Sequence, residues 1–253
     1  MDKIFQCVQP CLPVNKREFL DTNFSTEDVR VALFDIFPMK DPGPDGLPAL
    51  FYQKYWSVVG DKITNACLGV LNKGLDLEII NETLVVLIPK VKRAVRISEL
   101  RPISLYNVVY KIIVKALANH FRLVLRDVIS ETQSVFISGR LISDNAIVGF
   151  ECMHALQMRK KGRKGVMALK LDMSKAYDQV EWDFLAGMMA KFGFSDSWIG
   201  LIKECIKSVS FSILVNGVSC GHVKPSRFFV RGTLYLYTSS SSVQRAFPTI
   251  FCC

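Results

Sequence analysis

The chain has 253 residues, half of them apolar, and its 32 Lys and Arg residues against 23 Asp and Glu residues give a formal net charge of +9. This composition supplies ample material for the core of one large domain or two small ones, and no apolar run is long enough to span a membrane. The positive charge favours an anionic partner, with nucleic acid first among the candidates and a merely basic soluble protein as the alternative.

The first half of the chain predicts helices on either side of a loop. We expect residues 1–24 to be an irregular lead-in, and a capping box over 25–28 to open a helix that runs through Phe37. The segment 40–46 contains two prolines and two glycines and must be a loop. Apolar residues then recur at helical spacing over 47–72, and Gly74 suits the final cap.

The second half predicts a mixture of strands and helices. Residues 82–89 are apolar and β-branched, as in a buried strand, and 90–99 form a basic loop. We expect helices over 107–128, 144–158, 181–191 and 195–207, an extended or looped segment over 133–140, and a hairpin over 210–223 that turns at Asn216-Gly217. This order predicts an α+β fold with helices packed on an incomplete antiparallel sheet.

Basic residues are concentrated in two parts of the chain. Glu99 is the only acid between Lys90 and Arg126, a span that holds nine Lys and Arg residues, and a second basic cluster covers 159–164. Clusters of positively charged residues suit a phosphate backbone, although they also occur on solvated surfaces that bind nothing. The eight cysteines form neither a CxxC pair nor a Cys/His zinc pattern, so we expect a reducing, intracellular compartment, nuclear or cytoplasmic.

A carboxylate at the end of a predicted strand is the strongest candidate for chemistry. The apolar run 166–169 leads to Asp172, and the aromatic Tyr177 follows five residues later. A strand is stiff, so its last residue can hold an oxygen ligand in a fixed place for Mg²⁺. The alternative is a strand end that is capped by a solvated Asp.

Several segments, in the same order, resemble the reverse transcriptase of plant non-LTR (LINE-type) retrotransposons. The resemblance runs from about residue 25 to Arg227. It rests on the blocks Lys40–Gly46 with Phe51–Trp56, Leu87–Lys90, Arg101–Asn107 with Tyr110-Lys111, Gln133–Arg140 with Asp144-Asn145, and Lys170–Asp178.

The resemblance implies a right-hand polymerase with fingers and part of a palm. Its segments would be a lead-in (1–24), a fingers-like part (25–165), a partial palm (166–227) and an aberrant tail (228–253). It also implies an RNA template, a DNA primer, a dNTP, and nucleotidyl transfer through two Mg²⁺ ions.

The resemblance assigns roles to individual residues. Asp172 matches the first metal-binding Asp, and the backbone carbonyl of Met173 would also face a metal. Tyr177 would exclude a ribose 2′-hydroxyl, or serve as a core aromatic. Lys90 and Arg101 would hold the incoming triphosphate, or bind template in a generic way. The remaining residues expected to contact nucleic acid are Lys92, Arg93, Gln133, Gly139 and Arg140.

The sequence departs from the family pattern where the other catalytic carboxylates are expected. It has no Tyr/Phe-x-Asp-Asp segment and no Asp or Glu after Glu204. Two divalent ions close together repel each other unless several anionic oxygens hold them. We therefore expect a chain that is truncated within the palm, inactive alone, and at most a nucleic-acid-binding remnant. One choice of codons for the missing segment, read one base out of frame, encodes a sequence like that of residues 230–237, so we hypothesise a frameshift close to Arg227.

Overall fold

The computed structural model describes residues 5–6, 8–129, 139–159, 167 and 180–225. Twelve regular elements of this part are used below. In chain order they are α1 (Val14–Leu20), α2 (Thr26–Phe34), α3 (Ala49–Lys54), α4 (Trp56–Lys73), β1 (Glu82–Pro89), β2 (Leu100–Tyr106), α5 (Val108–Val128), α6 (Ile142–Met158), α7 (Trp182–Phe192), α8 (Asp196–Lys207), β3 (Ser210–Val215) and β4 (Val218–Val223).

The described strands form one four-stranded sheet in the order β2-β1-β3-β4. Its two outer pairs, β1 with β2 and β3 with β4, are antiparallel. The central pair, β1 with β3, is parallel, so the sheet is mixed rather than purely antiparallel. The long connection between β1 and β3 permits this direction, because parallel strands need a crossover that no tight turn can supply. The expected α+β class, with helices packed on a sheet, is confirmed.

Helix α5 lies at the centre of the core. It is 21 residues long, and most of its side chains are buried on every side of the helix rather than along one stripe. Helices α1, α2 and α4 pack against it. A helix surrounded in this way needs apolar residues on all of its faces, and the run Ile112-Ile113-Val114 supplies them with no measurable exposure.

Several boundaries differ from those expected from the sequence. Helix α2 ends at Phe34 and does not run through Phe37. The lead-in contains helix α1, which is held by tertiary contacts: Leu20 is buried, and the Leu12 N–H donates to the Phe192 carbonyl at 3.0 Å. The helix expected over 47–72 is divided into α3 and α4 at Tyr55. The segment before α5 is strand β2, because its backbone pairs with β1 along its whole length.

Local signals in the sequence located other elements well. Ser25 accepts a hydrogen bond from the Asp28 N–H and forms the expected capping box with Asp28. The turn between β3 and β4 places Asn216 at φ 50° and Gly217 at φ 82°, as a two-residue hairpin with two left-handed positions requires. The proposed division at residue 165 stays a prediction, and the tail after Lys224-Pro225 lies outside the described residues.

Candidate nucleic-acid interface

The β1–β2 hairpin brings two predicted phosphate-binding residues, Lys90 and Arg101, to its same end. In the antiparallel register Thr83 is opposite Tyr106, and both are buried against the helices. Side chains alternate along a strand, so Ile88 and its partner Arg101 point to the other face. Lys90 directly follows the end of β1, at the same end of the hairpin as Arg101 near the start of β2. Both cations are exposed.

The connection between the two strands displays further positive charge. Lys92, Arg93 and Arg96 are exposed, and no ion pair links them or the two hairpin cations to any residue that the structure describes. The connection also exposes apolar side chains, since Val95 is 92% and Ile97 84% exposed. Cations without ion pairs repel one another when they lie close together, and a bound phosphate backbone relieves that repulsion.

One carboxylate gives the basic connection its shape. Glu99 accepts hydrogen bonds from the N–H groups of Val95 at 2.8 Å and Arg96 at 3.1 Å. These two bonds, to Val95 first, lower the pKa of Glu99 because they stabilise its ionised form. Lys90 closes the base of the connection: its N–H donates to the Glu99 carbonyl and its ammonium to the Ser98 carbonyl, each at 2.8 Å. The single acid of this span is therefore a scaffold for the cations around it.

The base of the hairpin is fixed where β2 meets α5. The Asn107 side chain donates to the Ile80 carbonyl at 3.2 Å and accepts from the Asp45 N–H at 3.3 Å. Gly43 lies so close that a Cβ there would be 2.3 Å from the Asn107 nitrogen and 2.4 Å from the Tyr106 carbonyl carbon. The proline- and glycine-rich loop 40–46 thus serves to support the strand–helix junction beneath the hairpin.

Two lysines of the predicted basic span are not available to a phosphate backbone. Lys111 is 5% exposed and its ammonium donates to the Asp41 carbonyl at 2.6 Å. Lys115 is 2% exposed and pairs with Asp35 at 3.3 Å. The two lysines are four residues apart, on the same side of α5, which loop 40–46 and the end of α2 cover. Charge counted along the sequence therefore overstates the exposed charge of this helix.

Gly139 and Arg140 lie elsewhere, beside the last turn of α5. Gly139 has a left-handed φ of 83°, and a Cβ there would lie 3.0 Å from a guanidinium nitrogen of Arg126. A helix of this length spans about 30 Å, so Arg126 is far from the β2–α5 junction. The structure places Gly139 beside another basic side chain, Arg126, that the resemblance had not singled out.

The remaining predicted site residues are Gln133, Asp172, Met173 and Tyr177, and they lie outside the described residues. Among the residues that are described, no three His, Cys, Asp or Glu side chains are grouped to hold a metal ion. None of the described helices is sufficiently long and apolar to cross a membrane. The metal-binding role of Asp172 and Met173 and the role of Tyr177 stay predictions.

A cleft of about 430 Å³ lies between the end of α1, the end of α4 and the start of α8. Its lining includes Phe24, Trp198, Asp21 and Glu204 and contains no Lys or Arg. A cleft that offers carboxylates and no cations suits phosphate poorly. The basic hairpin is therefore the better candidate for contact with an anionic polymer.

Comparison with known proteins gives two matches. The family model described as reverse transcriptase (RNA-dependent DNA polymerase) matches residues 88–232, more than half of the chain, and this range includes the basic hairpin connection and Asp172. The chain is also similar to the transposon TX1 uncharacterized 149 kDa protein of Xenopus laevis, with 28% identity over 210 residues. That alignment covers 81% of this chain and 16% of the Xenopus protein, so the chain spans about a sixth of its relative.

Proposed function

The chain belongs to the reverse transcriptase (RNA-dependent DNA polymerase) family, and from this premise we propose that it is a fragment of the reverse transcriptase domain of a LINE-type retrotransposon. The similarity to a transposon protein supports the retrotransposon origin. The reaction of the domain is nucleotidyl transfer, in which a primer 3′-hydroxyl attacks a dNTP and pyrophosphate leaves. The template is RNA and the primer is DNA.

The observation that carries this proposal is that Lys90 and Arg101 are both exposed at the same end of the β1–β2 hairpin. A flexible ammonium and a planar guanidinium at this end offer several donors to the oxygens of a triphosphate. Lys92 and Arg93, on the adjoining connection, are placed to contact the backbone of the template. Their function is electrostatic and independent of base sequence.

The role of the metal rests on Asp172 and on the carbonyl of Met173. Bound Mg²⁺ would supply Lewis-acid chemistry, activating the primer hydroxyl and neutralising charge on the phosphates. A pair of divalent ions needs several anionic oxygens, and no Asp or Glu follows Glu204 in these 253 residues. This observation favours a second function for the polypeptide alone, a non-enzymatic remnant that binds nucleic acid without extending a primer.

The binding function is tested by fluorescence anisotropy with a labelled RNA template annealed to a DNA primer. Removing two contacts with the template backbone in Lys92→Ala/Arg93→Ala should lower the slope of log affinity against log salt concentration by about 2. The matched control is Lys62→Ala/Lys73→Ala, which removes the same charge from exposed positions on α4, outside the family match. If both double variants lowered the slope equally, the effect would come from net charge alone, and the proposed site would be contradicted.

The catalytic question is decided by primer extension with Mg²⁺ on the purified 253-residue chain. We expect no more product than with Asp172→Ala, because that single carboxylate cannot hold a metal pair. Extension that disappears in Asp172→Ala would reject the remnant and establish an active polymerase. The binding experiment remains informative in either case, since it does not require turnover.

A further inference from the structure

One residue of the basic hairpin carries the wrong charge for an anionic ligand. Glu99 ends the connection that displays the exposed cations Lys92, Arg93 and Arg96. By charge alone, its carboxylate would weaken their attraction for phosphate. Within the part of the chain that the structure describes, no ion pair joins Glu99 to any of these cations. The carboxylate is therefore not their counter-ion, and its hydrogen bonds to the backbone give it another function.

A single carboxylate oxygen of Glu99 holds the connection between β1 and β2. Its Oε2 accepts hydrogen bonds from the N–H groups of Val95 at 2.8 Å and Arg96 at 3.1 Å, two donors that follow one another along the chain. The Glu99 N–H donates in turn to the Arg96 carbonyl at 2.9 Å, and Ile97–Glu99 forms one 3-10 turn. Arg96 is therefore bonded to Glu99 through both its N–H and its carbonyl, which fixes the direction in which its side chain leaves the backbone.

The connection needs such support because packing does not provide it. Val95 and Ile97 are almost fully exposed, so neither side chain anchors the connection in the core. Arg93 has a left-handed φ of 63°, a conformation that is unfavourable for a residue with a side chain. Cations that lie close together also repel one another. Hydrogen bonds have to order a segment of this kind, and those of Lys90 lie at its base, whereas those of the Glu99 carboxylate lie beside its cations.

Order in the connection strengthens its binding to a polyanion. A mobile loop loses conformational freedom when its cations engage successive phosphates, whereas a loop that is ordered beforehand has already lost that freedom. Two effects of Glu99 therefore oppose each other: its charge repels phosphate, and its hydrogen bonds arrange the cations that attract phosphate. Salt screens the repulsion but leaves the ordering unchanged, so the ordering should dominate at physiological ionic strength.

We propose that Glu99 is a positioning residue, which raises the affinity of the hairpin for the phosphate backbone of a template by holding Lys92, Arg93 and Arg96 in a preformed arrangement. Glu99 itself does not contact phosphate. The proposal rests on the proposed nucleic-acid-binding function and adds to it a residue whose charge alone would exclude it from such a site. Substitutions separate the two effects, since Gln and Ala both remove the charge but only Gln keeps a side-chain oxygen that can accept both N–H groups.

Fluorescence anisotropy with the labelled RNA template annealed to a DNA primer compares Glu99→Gln with Glu99→Ala at about 0.1 M salt. The two variants have the same net charge, so charge alone predicts equal affinities, both higher than that of the wild type. We expect Glu99→Gln to bind at least as tightly as the wild type, and Glu99→Ala to bind at least about fivefold more weakly than Glu99→Gln. The matched control is the pair Asp76→Asn and Asp76→Ala. The Asp76 carboxylate accepts the Glu78 N–H at 2.8 Å in the exposed connection before β1, outside the family match, so this pair should bind with equal affinity.

Two further measurements separate positioning from a loss of folding. Stoichiometric titration gives the active fraction of each variant, so a partly unfolded protein is not counted as a weak binder. Hydrogen exchange followed by mass spectrometry should show faster exchange of residues 91–99 in Glu99→Ala than in Glu99→Gln. The proposal alone is overturned if the two Glu99 variants bind equally or exchange equally, if Glu99→Ala binds more tightly, or if the Asp76 pair shows the same difference. A wild type that does not bind the template–primer duplex would overturn the binding function and this proposal together.

Discussion

Raising the pH should stabilise the protein through Lys111, the buried lysine of α5. Burial, together with a smaller effect of nearby Lys40 and against the opposing influence of Asp45 and Asp41, lowers the pKa of Lys111 from 10.5 to about 8. The Lys111 ammonium donates to the Asp41 carbonyl and has little contact with water. The folded protein therefore holds this proton less tightly than the unfolded chain does.

The size of the effect follows from the two pKa values. Where the unfolded state binds more protons, the free energy of unfolding rises with pH, here as the pH climbs from about 8 towards 10.5. The whole difference corresponds to about 3 kcal/mol, and the part between about pH 7.5 and 9.5 to about 2 kcal/mol. Below about pH 8 Lys111 is protonated in both the folded and the unfolded state, so its burial lowers the free energy of unfolding by a constant amount.

The assay is urea unfolding in reducing buffer at several pH values, on the wild type and on Lys111→Met. Methionine keeps the length of the side chain without the amine, so Lys111→Met should lack this rise. The difference in unfolding free energy between the two proteins should change by about 2 kcal/mol between about pH 7.5 and 9.5. Lys92→Met is the control, since Lys92 is exposed. If the curves of the wild type and Lys111→Met stay parallel in pH, the reasoning from burial is wrong.

Other substitutions test contacts and backbone positions elsewhere in the fold. Gly43→Ala should cost about 1–3 kcal/mol and lower the melting temperature, because the new Cβ would meet main-chain atoms 2.3 Å away. Gly149→Ala, which meets nothing within 4 Å inside α6, should instead stabilise by about 0.5–1 kcal/mol, and a melting point that moves the other way would contradict this. Burial raises the pKa of Asp28, but hydrogen bonds with Ser25 and the contact with His120 outweigh it and leave the pKa lowered. Asp28→Ala should therefore cost about 1 kcal/mol at neutral pH, and urea unfolding should show the loss vanish as the pH falls below about 4.

Elements with local signals were predictable from the sequence. The β3–β4 hairpin agrees with its prediction because Asn216-Gly217 accepts the two left-handed positions of a tight turn. Ser25 and Ser195 cap their helices as expected, each through its own side-chain oxygen. Such signals depend on neighbours within a few residues, and no distant contact is needed to interpret them.

Elements that depend on distant contacts were not predictable. Strand β2 begins at Leu100 and contains Pro102, and its extended form comes from pairing with β1 rather than from its own composition. Helix α1 has no side-chain cap and is too short to be stable alone, so only its packing explains it. For the candidate site, the register that brings Arg101 to the same end of the hairpin as Lys90 required the sheet, and the burial of Lys111 required the position of loop 40–46.

The parallel contact between β1 and β3 makes the order of synthesis matter. Glu82 aligns with Ser210, so 128 residues must be synthesised after Glu82 before its partner exists. At about 5–20 residues per second, this interval lasts roughly 6–26 s. Throughout it the nascent hairpin presents an unpaired backbone edge to every other chain nearby. Release at any earlier codon would leave that edge without its native partner and open to pairing with another chain.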